Sequence, residues 1–188
     1  MLISESAVLA AILTAPAITA ALAFAVGRRA PWLMIRLGAL TAGVGFLGAV
    51  LLAVGAGRGE QVSTALGVAE FRVDRLTAVL LLLVFGVSGI VQTFAVRYLA
   101  GDPRAAWFAG GAGLLTAASA GLTAAETLIT LASCWTLAGL ALCLLLATYW
   151  HLPAARDGVR RTATAFVIGD LALWTAVVLA TATWGRIE

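Results

Sequence analysis

The sequence predicts an all-α fold, a polytopic transmembrane helical bundle of about six helices. Of its 188 residues, 62% are hydrophobic and 11% are charged, whereas a soluble domain carries roughly 25% charged residues. The mean hydropathy is +1.04, and several apolar runs reach the length of about 20 residues that crosses a bilayer. Too little polar side chain is present to coat a soluble surface. We therefore expect one transmembrane domain over residues 1–188 whose solvent is the lipid bilayer.

The apolar runs place the helices in order. The first run, 5–26, follows a start without the basic region of a signal peptide, so we interpret it as a retained spanning helix. A second helix is predicted at 32–56, and a polar extramembrane loop at 57–75, where Gln61-Val-Ser-Thr favours a short strand or hairpin. The remaining helices are predicted at 76–99, 105–124, 127–150 and 162–184.

Proline and charge mark the later connections. Gly101-Asp102-Pro103-Arg104 predicts a turn, because proline cannot continue a helix and disfavours helix in the preceding residue. Pro153 and the charged residues that follow it, up to Arg161, predict the loop before the last helix. On the fourth helix, Ala109-Gly110-Gly111-Ala112-Gly113 has almost no side chain, which indicates close helix packing.

The basic residues predict an orientation. All twelve are arginines, and basic residues favour the cytoplasmic loops of membrane proteins. Eight lie in or near the three loops of one side: Arg28, Arg29, Arg36, Arg97, Arg104, Arg156, Arg160 and Arg161. The other side has four: Arg58, Arg72, Arg75 and Arg186. We expect the cell inner (plasma) membrane, with both termini on the non-cytoplasmic side, and no nucleic-acid partner.

Ionisable residues at membrane depth are costly and are candidates for function. Asp170 lies about nine residues into the last apolar run, and two interpretations stay open: a proton-relay or ion-pair carboxylate, or a structural partner for an arginine or a helix end. Glu126 lies between the fourth and fifth helices, where stabilisation by a helix N-terminus is favoured over proton transfer. For His151, the single histidine, an interfacial or solvated role is favoured over proton transfer.

Other polar residues have structural interpretations. Asp74 precedes the third helix and is predicted to cap it, while Arg97 ends that helix at an interface, where its side chain can snorkel. Asp102 belongs to the predicted turn. Cys134 and Cys143 are interpreted as small buried residues. Since the sequence shows no nucleophile–base pattern, phosphate loop or metal spacing, we expect no cofactor, no metal and no active site of its own.

Three segments in order carry a family resemblance. Phe71-Arg-Val-Asp74-Arg-Leu76-Thr77 is similar to a "VD-x-L-S" motif, and the stretch from Phe94 to Arg104 is similar to "Y-S-x-x-Y-M-x-G-D". The run from Gly121 through Trp135 to Gly169-Asp170 resembles "A-D-N-L … G-W-E … R-x-G-D". Residues of about 70–175 thus resemble the proton-translocating membrane subunits of respiratory complex I and the Mrp antiporters, especially subunit L.

The chain departs from that family at particular positions. After the motif tryptophan, Trp135, the family carries a glutamate central to its proton path, and this chain has Thr136, which cannot take up a proton near neutral pH. The motif arginine is replaced by Val167, whereas Asp170 is retained. The chain has no lysine and less than half the family's usual length, so we expect a fragment of a longer subunit or a shortened relative.

The resemblance implies a membrane subunit that supports proton or cation translocation, with other membrane subunits as partners. Loss of the glutamate favours a relative outside complex I, such as the DabB-like subunits, which accumulate inorganic carbon with a cytoplasmic zinc-containing partner. The segment Tyr149…Pro153-Ala-Ala-Arg156 is compatible with both branches. Two alternatives remain: a non-conducting structural or assembly subunit, and a fragment of a respiratory NADH-quinone oxidoreductase subunit L.

Overall fold

The computed structural model describes residues 4–184 and confirms the all-α transmembrane bundle. Within them, six helices are long and apolar enough to cross a membrane. The elements in chain order are α1 (Glu5–Val26), α2 (Pro31–Gly57), β1 (Val62–Leu66), β2 (Ala69–Val73), α3 (Arg75–Tyr98), α4 (Ala105–Ala124), α5 (Leu128–Leu146), a single 3₁₀ turn (Ala147–Tyr149) and α6 (Pro153–Trp184). The polar connection between α2 and α3 contains the predicted hairpin.

The hairpin is a tight antiparallel pair. Its register pairs Val62 with Val73 and Leu66 with Ala69, which leaves a two-residue turn at Gly67 and Val68. Gly67 has a φ of +66°, and glycine at the first central position is the requirement of a type II′ turn, whose twist suits a hairpin.

The predicted loop across 153–161 is wrong, because α6 begins at Pro153, nine residues before the expected start at 162. Proline is well tolerated at the first position of a helix, where its missing N–H would have no partner. The four charged residues in this stretch are all helical and exposed: Arg156, Asp157, Arg160 and Arg161. Their polarity therefore marks the solvated end of a long helix. The α-helical part of α5 also ends earlier than expected, at Leu146.

α4 lies at the centre of the bundle and packs against α1, α2, α3 and α5. The segment from Ala109 to Gly113 is buried throughout, as its small side chains predicted. A Cβ atom on Gly110 would lie 2.7 Å from the Phe24 ring, and one on Gly111 would lie 2.9 Å from Leu145. A larger residue at either position would force Phe24 or Leu145 to shift, so the two glycines allow α1 and α5 to approach α4 closely.

The hairpin covers one end of the bundle. Phe71 and Val73 are buried in the core cluster formed with α1, α2, α3 and α4. The Glu70 N–H donates to Thr130 Oγ1 (3.1 Å), and the Glu70 carbonyl accepts from the Glu126 N–H (3.0 Å). The hairpin is thus attached to the α4–α5 connection.

α6 lies at the edge of the bundle and packs on α5. Its outward face is apolar and open, with Val167, Ile168 and Leu171 between 56% and 65% exposed. A face of this kind is suited to lipid or to another membrane helix.

Candidate functional site

The seam between α5 and α6 holds the intramembrane carboxylate. Phe166, Asp170 and Trp174 follow one another at intervals of four residues, so they share one face of α6. All three are half-buried, whereas the residues on either side of Phe166 and Asp170 are exposed. We call these three residues, together with Trp135 and Thr136 of α5, the α5–α6 seam.

Contacts above and below Asp170 fix the seam. The rings of Trp135 and Phe166 have centroids 5.9 Å apart, and Gly139 makes room for Phe166, whose Cδ1 would lie 2.5 Å from a Cβ there. One turn past Asp170, the Trp174 indole N–H donates to Thr136 Oγ1 (3.1 Å). Asp170 is therefore flanked along α6 by two aromatic residues that both contact α5.

Asp170 itself has an unsatisfied oxygen. Its Oδ1 atom is buried and has no hydrogen-bond partner within the described residues. A carboxylate oxygen without a donor at this depth carries a desolvation cost that a donor, a proton or a cation would relieve. The seam is thus a position where a proton or a positive charge would be stabilised.

Thr136 occupies the position of the family glutamate, and its hydroxyl is already engaged. Because Thr136 Oγ1 accepts the hydrogen bond from Trp174, that position holds a structural link between two helices. The only carboxylate in the seam is that of Asp170.

Glu126 lies away from the seam, at the end of the bundle that the hairpin covers. Its Oε1 atom is 2.8 Å from Arg72 Nη2 of β2, and the two side chains are 18% and 56% exposed. The helix that follows is capped by the Thr127 hydroxyl, which accepts from the Thr130 N–H. The carboxylate of Glu126 is therefore committed to the hairpin.

His151 and Asp102 lie at the opposite end of the bundle. His151 is exposed, with its ring centroid 6.1 Å from that of Tyr149. The Tyr149 hydroxyl donates to Asp102 Oδ2 (3.1 Å), which joins the α3–α4 turn to the end of α5. The structure thus brings Asp102 and His151 close to one tyrosine, at the end of α5, away from the α5–α6 seam.

The capping role predicted for Asp74 is confirmed. The Thr77 N–H donates to Asp74 Oδ1 (2.8 Å). This hydrogen bond lowers the pKa of the Asp74 carboxyl, since it stabilises the charged form. Arg97 lies in the last turn of α3, where a cation complements the helix dipole.

Sequence reasoning missed a polar cluster between α2, α3 and α4. Gln92 is 2% exposed, and its Nε2 donates to Ser88 Oγ (2.9 Å). Ser88 Oγ is 2.6 Å from Thr116 Oγ1, and the Thr116 hydroxyl donates to the Ala112 carbonyl. Gln92 could have been found from the sequence, because an amide inside the long apolar run of α3 needs partners.

An apolar cleft of about 380 Å³ adjoins this cluster, with Ser88, Gln92 and Thr116 among its lining residues. No group of three or more His, Cys, Asp or Glu residues that could hold a metal ion occurs within residues 4–184.

These features define a class: a multi-pass helical membrane protein with a single carboxylate in the seam between its last two described helices. Comparison with known proteins shows which family this chain is similar to. Residues 68–109 match the sequence model of the family described as NADH-ubiquinone oxidoreductase (complex I), chain 5 N-terminus. That stretch runs from the hairpin through α3 into α4 and contains Asp74, Arg97 and Asp102.

Three relatives illustrate the similarity. NADH-quinone oxidoreductase subunit L of Mycobacterium tuberculosis is 28% identical over 117 residues, which are 62% of this chain and 18% of the relative. F(420)H(2) dehydrogenase subunit L of Methanosarcina mazei is 29% identical over 109 residues, 58% of this chain and 16% of the relative. A probable inorganic carbon transporter subunit, DabB1, of Halothiobacillus neapolitanus is 32% identical over 116 residues, which are 62% of this chain and 21% of the relative.

The resemblance drawn from the motifs is therefore confirmed: residues 68–109 match the complex I chain 5 N-terminus model, and about three fifths of the chain is similar to the two L subunits and to DabB1. The aligned stretch spans only about a fifth of the length of these relatives.

Proposed function

We propose that the chain is a membrane subunit of a complex I/Mrp-like assembly and supports the translocation of protons or other cations. The observation that carries this proposal is the buried, unsatisfied Oδ1 of Asp170 in the α5–α6 seam. Similarity to subunit L and to DabB1 supports it, since Asp170 is the carboxylate that the chain retains from the motif of those subunits.

In this proposal, Asp170 exchanges a proton or pairs with an arginine supplied from outside the described residues. Glu126 and His151 are secondary candidates. The ion pair of Glu126 with Arg72 and the exposure of His151 favour structural and interfacial roles for them.

The proposed setting is a plasma membrane. The end of the bundle that carries the α3–α4 turn and most of the arginines, which we call the arginine-rich end, faces the cytoplasm, and both termini lie on the other side. The proposed partners are other membrane subunits, which the open apolar face of α6 can accommodate. Use in inorganic carbon uptake with a cytoplasmic zinc-containing partner is a narrower version, supported by the similarity to the probable inorganic carbon transporter subunit DabB1 and by Thr136 in place of the glutamate.

The replacement of Asp170 by asparagine tests the proposal. Asp170→Asn keeps the size of the side chain but removes its charge and its proton, so we expect proton-coupled activity of the reconstituted assembly to fall about a hundredfold, the low end of what a positioned proton-transfer group contributes. The measurement is the initial rate of proton movement into proteoliposomes, read with a pH-sensitive dye. Asp157→Asn makes the same chemical change on the exposed, solvated part of α6 and should leave the rate unchanged. An unchanged rate in Asp170→Asn would remove the proposed role.

The second candidate function is a non-conducting assembly subunit. It is favoured by the engaged hydroxyl of Thr136 at the glutamate position and by the lack of lysine. Reconstitution of the assembly with and without this chain separates the two functions: if proton flux persists in its absence, the chain is a scaffold.

Continuation of the reading frame beyond Glu188 into helices that carry lysine would favour the interpretation of the chain as a fragment of a respiratory subunit L.

A further inference from the structure

A second cleft lies at the arginine-rich end of the bundle, far from the α5–α6 seam along the helices. It has a volume of about 720 Å³ and lies between the end of α1, the start of α4 and the end of α5. Its lining includes Phe24, Arg28, Arg104, Trp107, Thr148 and Trp150, and no acidic residue. Two positive charges and three aromatic rings therefore meet at a helix end.

Within residues 4–184, neither Arg28 nor Arg104 forms an ion pair with a carboxylate. The ion pair of Arg72 with Glu126 lies at the other end of the bundle. Arg104 is half-buried, and its guanidinium carbon lies 5.0 Å from the centroid of the Tyr149 ring. The cleft thus presents two guanidinium groups that form no ion pair within the described residues, and that of Arg104 is held in place by stacking on Tyr149.

The walls of the cleft are fixed by hydrogen bonds. The Asp102 carboxylate accepts from the Arg104 N–H through Oδ1 (2.7 Å) and from the Tyr149 hydroxyl through Oδ2 (3.1 Å), so both of its oxygens are engaged. The Trp107 indole N–H donates to the Leu144 carbonyl (2.8 Å), and its ring contacts the Phe24 ring edge-on at 5.2 Å. A ligand would therefore meet preformed walls, which lowers the entropy cost of binding.

We propose that this cleft binds an anionic phospholipid, with its phosphate at Arg28 and Arg104 and an acyl chain against Phe24 and Trp107. Basic pockets between helices at the cytoplasmic surface suit acidic lipid headgroups, and tryptophan at a helix end suits the membrane interface. The apolar wall beside the charges favours a lipid over a free anion, because inorganic phosphate would leave that wall uncovered. The proposal is independent of any role of Asp170.

Quenching of tryptophan fluorescence tests the site. The full chain, with the membrane subunits that accompany it, is placed in phosphatidylcholine nanodiscs that contain a small fraction of phosphatidylglycerol with brominated acyl chains. We expect stronger quenching than with brominated phosphatidylcholine at the same fraction, because Trp107 and Trp150 line the cleft. Arg28→Gln should weaken the apparent affinity for phosphatidylglycerol about fivefold. Arg28→Gln/Arg104→Gln should reduce quenching to the phosphatidylcholine level.

A charge-matched variant provides the control. Arg160→Gln/Arg161→Gln removes the same charge from the same end of the bundle, at exposed positions of α6 outside the cleft, and should keep the full selectivity. Equal losses in the two double variants would assign the effect to general surface potential and overturn the proposal. If inorganic phosphate abolished the selectivity for phosphatidylglycerol over phosphatidylcholine, the cleft would be a site for free anions. If the parent showed no such selectivity, the cleft would be covered by another subunit. Either result would also overturn the proposal.

Discussion

Polar side chains inside the bundle satisfy one another across helices. Gln92 of α3 reaches Thr116 of α4 through Ser88, while its Oε1 atom has no hydrogen-bond donor in the described part of the chain. That oxygen lies against Gly38 of α2, where a Cβ atom would overlap it. The glycine therefore allows an amide to be buried where three helices meet.

Gly38→Ala should destabilise the bundle by about 1–3 kcal/mol, the usual cost of overpacking. The added methyl group would displace the Gln92 carboxamide from Ser88. The measurement is the thermal unfolding midpoint of the full chain in a mild detergent.

Gly43→Ala on the same helix is the matched control, since a Cβ there meets no atom within 4 Å. It should leave the midpoint within error of the parent or raise it, because alanine is the better helix former. Gly38→Ala combined with Gln92→Ala should recover part of the loss. Equal effects of the two glycine substitutions would contradict the proposed overlap.

At the scale of elements, caps and docking contacts decide where helices begin and how the hairpin is held. Ser4, Asp74 and Thr127 cap α1, α3 and α5 through their side chains. The Arg75 guanidinium donates to the Ala56 carbonyl near the end of α2 (3.2 Å). These local bonds satisfy backbone groups that a helix end leaves free.

Asp74→Ala should lower the free energy of unfolding by about 1 kcal/mol, the typical loss for an N-cap. Because the Thr77 hydrogen bond lowers the folded-state pKa of Asp74, the stabilisation is present above the ordinary carboxyl pKa and is lost as the pH falls through the lowered value. Asp74→Asn keeps the cap without the titration, so its stability should not show this acid-side loss. The measurement is unfolding by denaturant between neutral and acidic pH, and identical pH profiles of parent and Asn variant would contradict the assignment.

We expect the stability of the hairpin to depend more on the burial of Phe71 than on the ion pair between Arg72 and Glu126. Phe71 is 6% exposed, and Phe71→Ala should cost about 3–5 kcal/mol. Glu126→Gln should cost no more than about 1 kcal/mol, because Arg72 is 56% exposed to solvent. Limited proteolysis at the Gly67–Val68 turn, together with thermal unfolding, would measure both effects. A Glu126→Gln variant as fragile as Phe71→Ala would show that the ion pair dominates.

At the scale of the whole molecule, the arginines divide unequally between the two ends. Of those in the described residues, eight lie at the end that carries the α3–α4 turn and three at the hairpin end; Arg186 lies outside the described residues. The start of α6 at Pro153 leaves this division unchanged, because Arg156, Arg160 and Arg161 lie at the same end whether they belong to a loop or to a helix.

Impermeant thiol labelling of right-side-out membrane vesicles should detect this orientation. Val68 is 83% exposed at the hairpin tip, so Val68→Cys should be labelled in intact vesicles. His151→Cys should be labelled only after permeabilisation. The parent chain, whose Cys134 and Cys143 lie within α5, serves as the background control, and the reverse pattern would place the hairpin in the cytoplasm.

The sequence by itself determined the number of spanning helices, the hairpin and the Asp74 cap. Long apolar runs, turn residues and capping residues act over a few neighbouring positions, so their signals are local. The same reasoning was wrong at Pro153, because charge in a membrane protein marks solvation and does not distinguish a loop from a helix that extends out of the bilayer.

Only the tertiary structure decided which of the polar residues meet. The hydrogen bond between Trp174 and Thr136, the ion pair between Arg72 and Glu126, and the contact of Gln92 with Gly38 join residues between 38 and 54 positions apart. Such pairs depend on which faces two helices, or a helix and a hairpin, turn toward each other. Apolar side chains on all sides of a membrane helix give no periodicity that would reveal this, because lipid solvates every face equally well.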